Sequence, residues 1–267
     1  MNQRNTKASV ALAFFIVLLA SFAAMNALSA GNLLQACVQE AVLALVAIAA
    51  VRLAVPDALK RCTRSVQQRS IVRFATIALL LVGLVGGVIT LLAWLFANGG
   101  NTAGFAPAAL PSADDLMKNL LLLLGICLLT GVHEEAFMRV LGIEAFERAV
   151  DLKRAILASA ALFALLHVGV PDLSAGQLVL MQTALKFVQA LLFGMILGVL
   201  YTQTRRLWPC ALVHAGFDVL YLVPYVLLTG VMPETYASGA ASDTVLLAVT
   251  VLMLACVVAK IRKEIAR

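Results

Sequence analysis

The stretch "LMKNLLLLLGICLLTGVHEEAFMR", Leu116 to Arg139, decides the fold. Its first part is apolar enough to sit in hydrocarbon. Its end carries His133, Glu134, Glu135 and Arg139 without a break in the helical pattern. A helix crossing a hydrocarbon layer of about 30 Å needs about 20 apolar residues. Apolar runs of this kind recur along the whole chain. The 267 residues are 63% hydrophobic and 13% charged, with a mean hydropathy of +0.99. A soluble domain of this length has no use for so much apolar surface. The short alternating segments of an outer-membrane barrel are also missing from the pattern. The expected class is an all-α, polytopic membrane helical bundle.

Eight spanning segments are expected: roughly Ala8–Leu28, Leu33–Val55, Ile71–Phe96, Leu116–Arg139, Ala155–Val170, Leu178–Tyr201, Cys210–Leu228 and Val245–Ala259. The fifth is short and is expected to extend through the polar residues before it. Ala97–Asp115 reads as a loop. Counted across eight crossings, 18 of the 20 basic residues fall on one face, with only Lys118 opposite and Lys186 inside a segment. The positive-inside rule then puts both termini in the cytoplasm. The first segment is read as a retained helix, because it is long for a cleaved signal sequence. The net charge of +6 is a membrane-topology signal and implies no nucleic-acid partner. Residues 1–115 are expected to form an N-terminal membrane part, 116–230 a functional core, and 231–267 a last helix with a basic tail. The five cysteines are scattered, form no C-x-x-C pair and read as packing residues.

Ionisable side chains at membrane depth are costly and default to a functional reading. They cluster on four segments: Glu134, Glu135 and Arg139; His167; Lys186; His214 with Asp218. Glu135 and Arg139 are four apart in the favoured order, so a structural ion pair is expected. Glu134 points about 100° away and finds no cation on its own helix, which suits an acid or base. His214 and Asp218 share one face. Phe163 and His167 repeat the spacing, with the phenyl ring placed to pack under the imidazole. Glu134 and His167 lie symmetrically about Val150 and Asp151, so a hairpin turning there would set them at one height. His214 reaches that height only if this hairpin projects further than the next link. Gln182, Lys186 and Gln189 form a polar stripe, and Lys186 is expected to balance the acidic groups or line a wet cavity. Glu40 has no obvious partner. A zincin motif fails because Phe137 stands where its second histidine is needed. "GMILG", Gly194–Gly198, fits a close helix-packing motif.

Three ordered motifs carry a resemblance: "EEAFMR" to E-E-x-x-x-R, "FALLH" to F-x-x-x-H, and "HAGFD" to H-x-x-x-N. In that order the chain resembles the CAAX protease and bacteriocin-processing (CPBP, or Abi) family of intramembrane endopeptidases. The resemblance implies peptide-bond hydrolysis near the cytoplasmic side of the membrane, on a peptide or membrane-protein substrate that in some members is lipidated. It implies that Glu134 and His167 activate water, and that His214 and residue 218 bind a metal or the oxyanion. Since the family is often labelled metalloprotease, a divalent ion such as zinc is the cofactor to test, with His167, His214 and Asp218 as its ligands. Glu135, Arg139, Phe163 and Lys186 would support the site. Asp218 departs from the family's asparagine: an ionised carboxylate accepts hydrogen bonds only and would repel an oxyanion. The expected home is a bacterial inner membrane. Two other readings start from the same residues: a non-catalytic scaffold or immunity protein of that family, and a proton-coupled transporter.

Overall fold

The computed structural model describes residues 9–20, 32–59, 66–99, 111–169, 174–233 and 237–265. These residues carry no β-strand and build a helical bundle. The helices are α1 (Ser9–Ala20), α2 (Leu33–Ala54), α3 (Val66–Gly99), α4 (Ala113–Phe146), α5 (Leu152–Val168), α6 (Gln177–Thr204), α7 (Leu207–Thr229) and α8 (Ala241–Ile265). A 3-10 turn, Pro56–Leu59, follows α2. They match the eight expected segments in order. Six are long and apolar enough to cross a membrane by length and composition. Most of the expected Ala97–Asp115 loop and the end of the first segment lie outside the described residues. Within α4, Ala136–Ile143 is π-helical, a widening that the sequence did not announce.

Capping explains several boundaries. Asn32, Ser112 and Asp151 each accept a hydrogen bond from the backbone N–H three residues on, at 3.0, 3.1 and 3.0 Å. Asp114 and Asp115 add negative charge at the start of α4, which suits the helix dipole. The cap at Asp151 limits the fifth segment. It reaches back only to Leu152 and has 17 residues, so the expected extension stops at three. At 1.5 Å per residue α5 is about 25 Å long. An Asp151→Ala variant should lose about 1 kcal/mol of stability, read as a lower midpoint in a denaturant titration. Unchanged stability would mean that the cap does not hold α5.

The core sits where backbones touch. On α3, a Cβ added at Gly83 or Gly87 would lie 2.7 or 2.2 Å from the Phe217 or Leu220 carbonyl oxygen of α7. On α6, one added at Gly194 would lie 3.1 Å from Ala160, and at Gly198 2.8 Å from Ile156, both on α5. The G-x-x-x-G segment is therefore a close helix contact. Outward-facing positions stay apolar: Leu53 is 82% exposed and Phe96 77%. A fully aqueous surface would not keep such residues bare, whereas lipid would cover them.

Charged links gather at one end. Arg205 ends α6 in the left-handed region (φ 47°). It donates to Glu144 at 3.0 Å and to Glu147 at 2.8 and 3.0 Å, and Tyr201 also donates to Glu144. The hydrogen bonds to Glu147, the largest influence, raise the Arg205 pKa above its ordinary value. The α4–α5 and α6–α7 links thus lie together, as alternating crossings require. At the other end, Gln182 near the start of α6 donates to the Ala240 carbonyl just before α8 and accepts from the Gly239 N–H.

Candidate active site

The site forms where α4 and α7 come closest. A Cβ on Gly131 would stand 2.5 Å from the Ala211 carbonyl oxygen and 3.2 Å from the Ala215 nitrogen. One turn along, that contact brings the two glutamates of α4 onto His214 of α7. His214 Nδ1 lies 2.9 Å from Glu135 Oε1. Its Nε2 lies 3.6 Å from Glu134 Oε2 and 3.4 Å from Asp218 Oδ2. A carboxylate accepts only, so Nδ1 carries the proton towards Glu135 and Nε2 is the edge offered to the other two acids. A Gly131→Ala change should cost about 1–3 kcal/mol through overpacking and push the glutamates off His214. Thermal melting checks this, with Gly176→Ala as control, because nothing lies within 4 Å of a Cβ there. Equal midpoints for the two variants would refute the wedge.

Glu135 does two things. Its Oε2 lies 3.1 Å from Arg139 Nε, the expected i,i+4 ion pair, while its Oε1 holds His214. Both partners of the ion pair are fully buried. Arg139 thus lies inside the bundle, as expected of a group at membrane depth, with its guanidinium 4.7 Å from the centre of the Phe163 ring. Ring stacking and one acid stabilise this cation, because its Nη1 and Nη2 have no hydrogen-bond partner.

Glu134 is different. It is about a quarter exposed, yet its Oε2 is buried and accepts no hydrogen bond. Its nearest basic group is His214, on another helix, as the spacing on α4 implied. Glu40, expected to be alone, faces His133 of α4 at 3.3 Å.

His167 enters from α5. Its Nδ1 meets the Phe163 carbonyl at 3.0 Å, and its ring lies 4.2 Å from the Phe163 ring, the expected packing. Phe163 in turn touches the His214 ring edge-on at 6.1 Å, so one phenyl separates the two imidazoles. A cavity of about 200 Å³ is lined by His167, Lys186, Asp218, Cys127, Thr130 and Tyr221, among others. Lys186, expected to balance the acidic groups or line a wet cavity, lines this cavity beside Asp218. Gln182 and Gln189, by contrast, tie α6 to its neighbours: Gln189 donates to Tyr221 at 3.1 Å and to Thr250 at 2.6 Å.

The ion pair at the end of α4 answers the height question. Arg205, just before α7, is level with Glu144 through it. Glu135 lies nine residues before Glu144 and His214 nine after Arg205, so the two reach one height while the rest of the α4–α5 link extends beyond Arg205, as that height required. π-segments concentrate at functional sites.

The expected zinc ligands His167, His214 and Asp218 do not fit a resident ion. Among the described residues, no three His, Cys, Asp or Glu side chains are gathered as a metal requires.

Residues 116–220 match the family model described as "Rce1-like: Type II CAAX prenyl endopeptidase Rce1-like". That bears out the family resemblance drawn from the three motifs, all of which lie inside the match. Comparison of the chain with curated proteins returns no match.

Proposed function

We propose that the protein is an intramembrane endopeptidase of the CAAX type, with residues 116–230 as its catalytic core, and that Glu134 is its general base. The observation that carries this reading is the Glu134 Oε2 lone pair: buried, unbonded and 3.6 Å from His214 Nε2. Buried acceptors are nearly always satisfied, and a catalytic role is one reason for an exception. The match to a CAAX prenyl endopeptidase family over the same residues supports it.

A peptide, lipid-attached or part of a membrane protein, enters from the bilayer of what we take to be a bacterial inner membrane. Its scissile carbonyl sits between Glu134 and His214, towards the cytoplasmic side. Glu134 takes a proton from water, and the water oxygen bonds to the carbonyl carbon. His167 approaches from the far side of Phe163 and assists in orienting the water. The carbonyl π electrons move onto oxygen. His214, protonated on both nitrogens and held through Nδ1 by Glu135, donates Nε2–H to that oxyanion. The C–N bond then breaks, and the proton on Glu134 passes to the leaving amine.

The test uses the purified protein in liposomes and an internally quenched, farnesylated peptide ending in a CAAX box, incubated in water enriched in ¹⁸O. The expected result is release of the last three residues, with one ¹⁸O in the new carboxyl group. An intact peptide after prolonged incubation would overturn the reading and favour a non-catalytic member of the family.

A further inference from the structure

We infer, resting on the peptidase reading above, that the cavity one helical turn from Glu134 and His214 takes the substrate side chain after the scissile bond and selects a large apolar one. Two antiparallel helices set its distance from the cut. On α4, Thr130 and Ile126 line it, four and eight residues before Glu134. On α7, Asp218 and Leu222 line it, four and eight residues after His214. At 1.5 Å per residue the cavity spans about 6 to 12 Å from the catalytic pair. It lies on the side away from the Arg205–Glu144 ion pair, because Glu144 follows Glu134 and Arg205 precedes His214. Successive Cα atoms are about 3.8 Å apart, so the side chain of the first residue after the cut is the one that reaches past such a neck.

The lining changes along that path. One turn from the cut stand Thr130 and Asp218, which suit the N–H and C=O groups of a substrate main chain, since a peptide shielded by lipid needs partners for them. His167 and Lys186 add polar lining from α5 and α6. Two turns away the lining is apolar: Ile126 and Cys127 pack with Leu222 and Met232 in one hydrophobic cluster. Polar neck and apolar end together fit a peptide that keeps its backbone at the neck and sends an apolar side chain inwards. Size decides which group enters. A cavity of about 150 Å³ in a protein core holds one benzene molecule. The present one, of about 200 Å³, takes one side chain of leucine, methionine or phenylalanine size. It is too small for a farnesyl chain, which stays on the cysteine before the cut and so in the bilayer.

The test is a series of internally quenched, farnesylated peptides that differ only in the residue after the farnesylated cysteine: glycine, alanine, leucine or phenylalanine. With the wild-type protein in liposomes, kcat/KM should rise at least about tenfold from the alanine to the leucine peptide, because even one methylene in an apolar pocket is worth about that factor. Met232→Trp narrows the apolar end from a half-buried position beyond α7. It should lower the leucine-to-alanine ratio of kcat/KM about tenfold. Leu222→Ala widens that end and should raise the phenylalanine-to-leucine ratio by a similar factor. Met232→Phe replaces the tryptophan variant if the latter melts early. Equal kcat/KM across the wild-type series would overturn the pocket while leaving the peptidase intact. So would ratios that stay at the wild-type values in folded Met232 and Leu222 variants. A wild-type protein that leaves every peptide uncut overturns the peptidase reading and the pocket with it.

Discussion

Glu134→Gln should abolish peptide cleavage, with kcat falling about 10²- to 10⁴-fold, while the protein melts close to the wild-type temperature. The two halves of this expectation have separate causes. The amide has nearly the shape of the carboxylate and keeps an acceptor oxygen, so packing is preserved. Glu134 is also about a quarter exposed and makes no hydrogen bond through Oε2 that folding depends on. What disappears is the lone pair that takes the proton of water, since an amide oxygen is a very weak base. KM should change little, because the amide keeps the shape of the carboxylate and the substitution removes a base rather than a binding contact. A Glu134→Gln protein that cleaves within a few-fold of wild type would move the base to another residue. The open acids are then Asp218, which shares the His214 edge, and Glu40, which pairs with His133 of α4. A proton-coupled transporter makes the opposite prediction: the variant would lose ion flux in liposomes that show no peptidase activity before or after the change.

How much of this was legible in the residues follows from where the information lies. Apolar length is local, so all eight helices were readable from the sequence. The order of E-E-x-x-x-R, F-x-x-x-H and H-x-x-x-D was readable too, because each motif fits within two turns of one helix. The Glu135–Arg139 pair and the Phe163–His167 stack are i,i+4 relations and follow from helical geometry alone. Pairings between helices were not readable. Nothing in Glu40 names His133, 93 residues away, as its partner. The grip of Glu135 on His214 was missed for the same reason: a carboxylate has two oxygens, and the local pairing with Arg139 accounts for only one. The clue available was Gly131, which precedes the glutamates by one turn and marks a close approach of two backbones. The π-helix was hidden more deeply. Its residues, Ala136–Ile143, have ordinary helical propensity, and the bulge follows from tertiary packing.

Arg139→Ala should destabilise the protein by about 3–5 kcal/mol, the loss expected when one partner of a buried ion pair is removed. Glu135 would be left fully buried with only a histidine beside it, and Phe163 would lose the cation stacked on its ring. Replacing both partners is the informative comparison. A double variant, Arg139→Met with Glu135→Gln, removes both charges at similar volume. It should recover most of the stability, because apolar or neutral replacements of a whole buried pair are often neutral. Recovered stability should not mean full activity. The amide oxygen introduced by Glu135→Gln could still accept from His214 Nδ1, but a neutral amide binds a charged imidazole more weakly than a carboxylate does and stabilises its protonated form less. The double variant should therefore be stable and slow, with the loss in kcat rather than KM. Denaturant titration in detergent micelles reads the first half, and the CAAX-peptide assay the second. If the double variant is as unstable as Arg139→Ala, the pair is not the source of the destabilisation, and the π-helix itself must depend on the guanidinium. If it is stable and fully active, Glu135 serves only to hold α4 in register, and the His214 contact at 2.9 Å carries no catalytic weight.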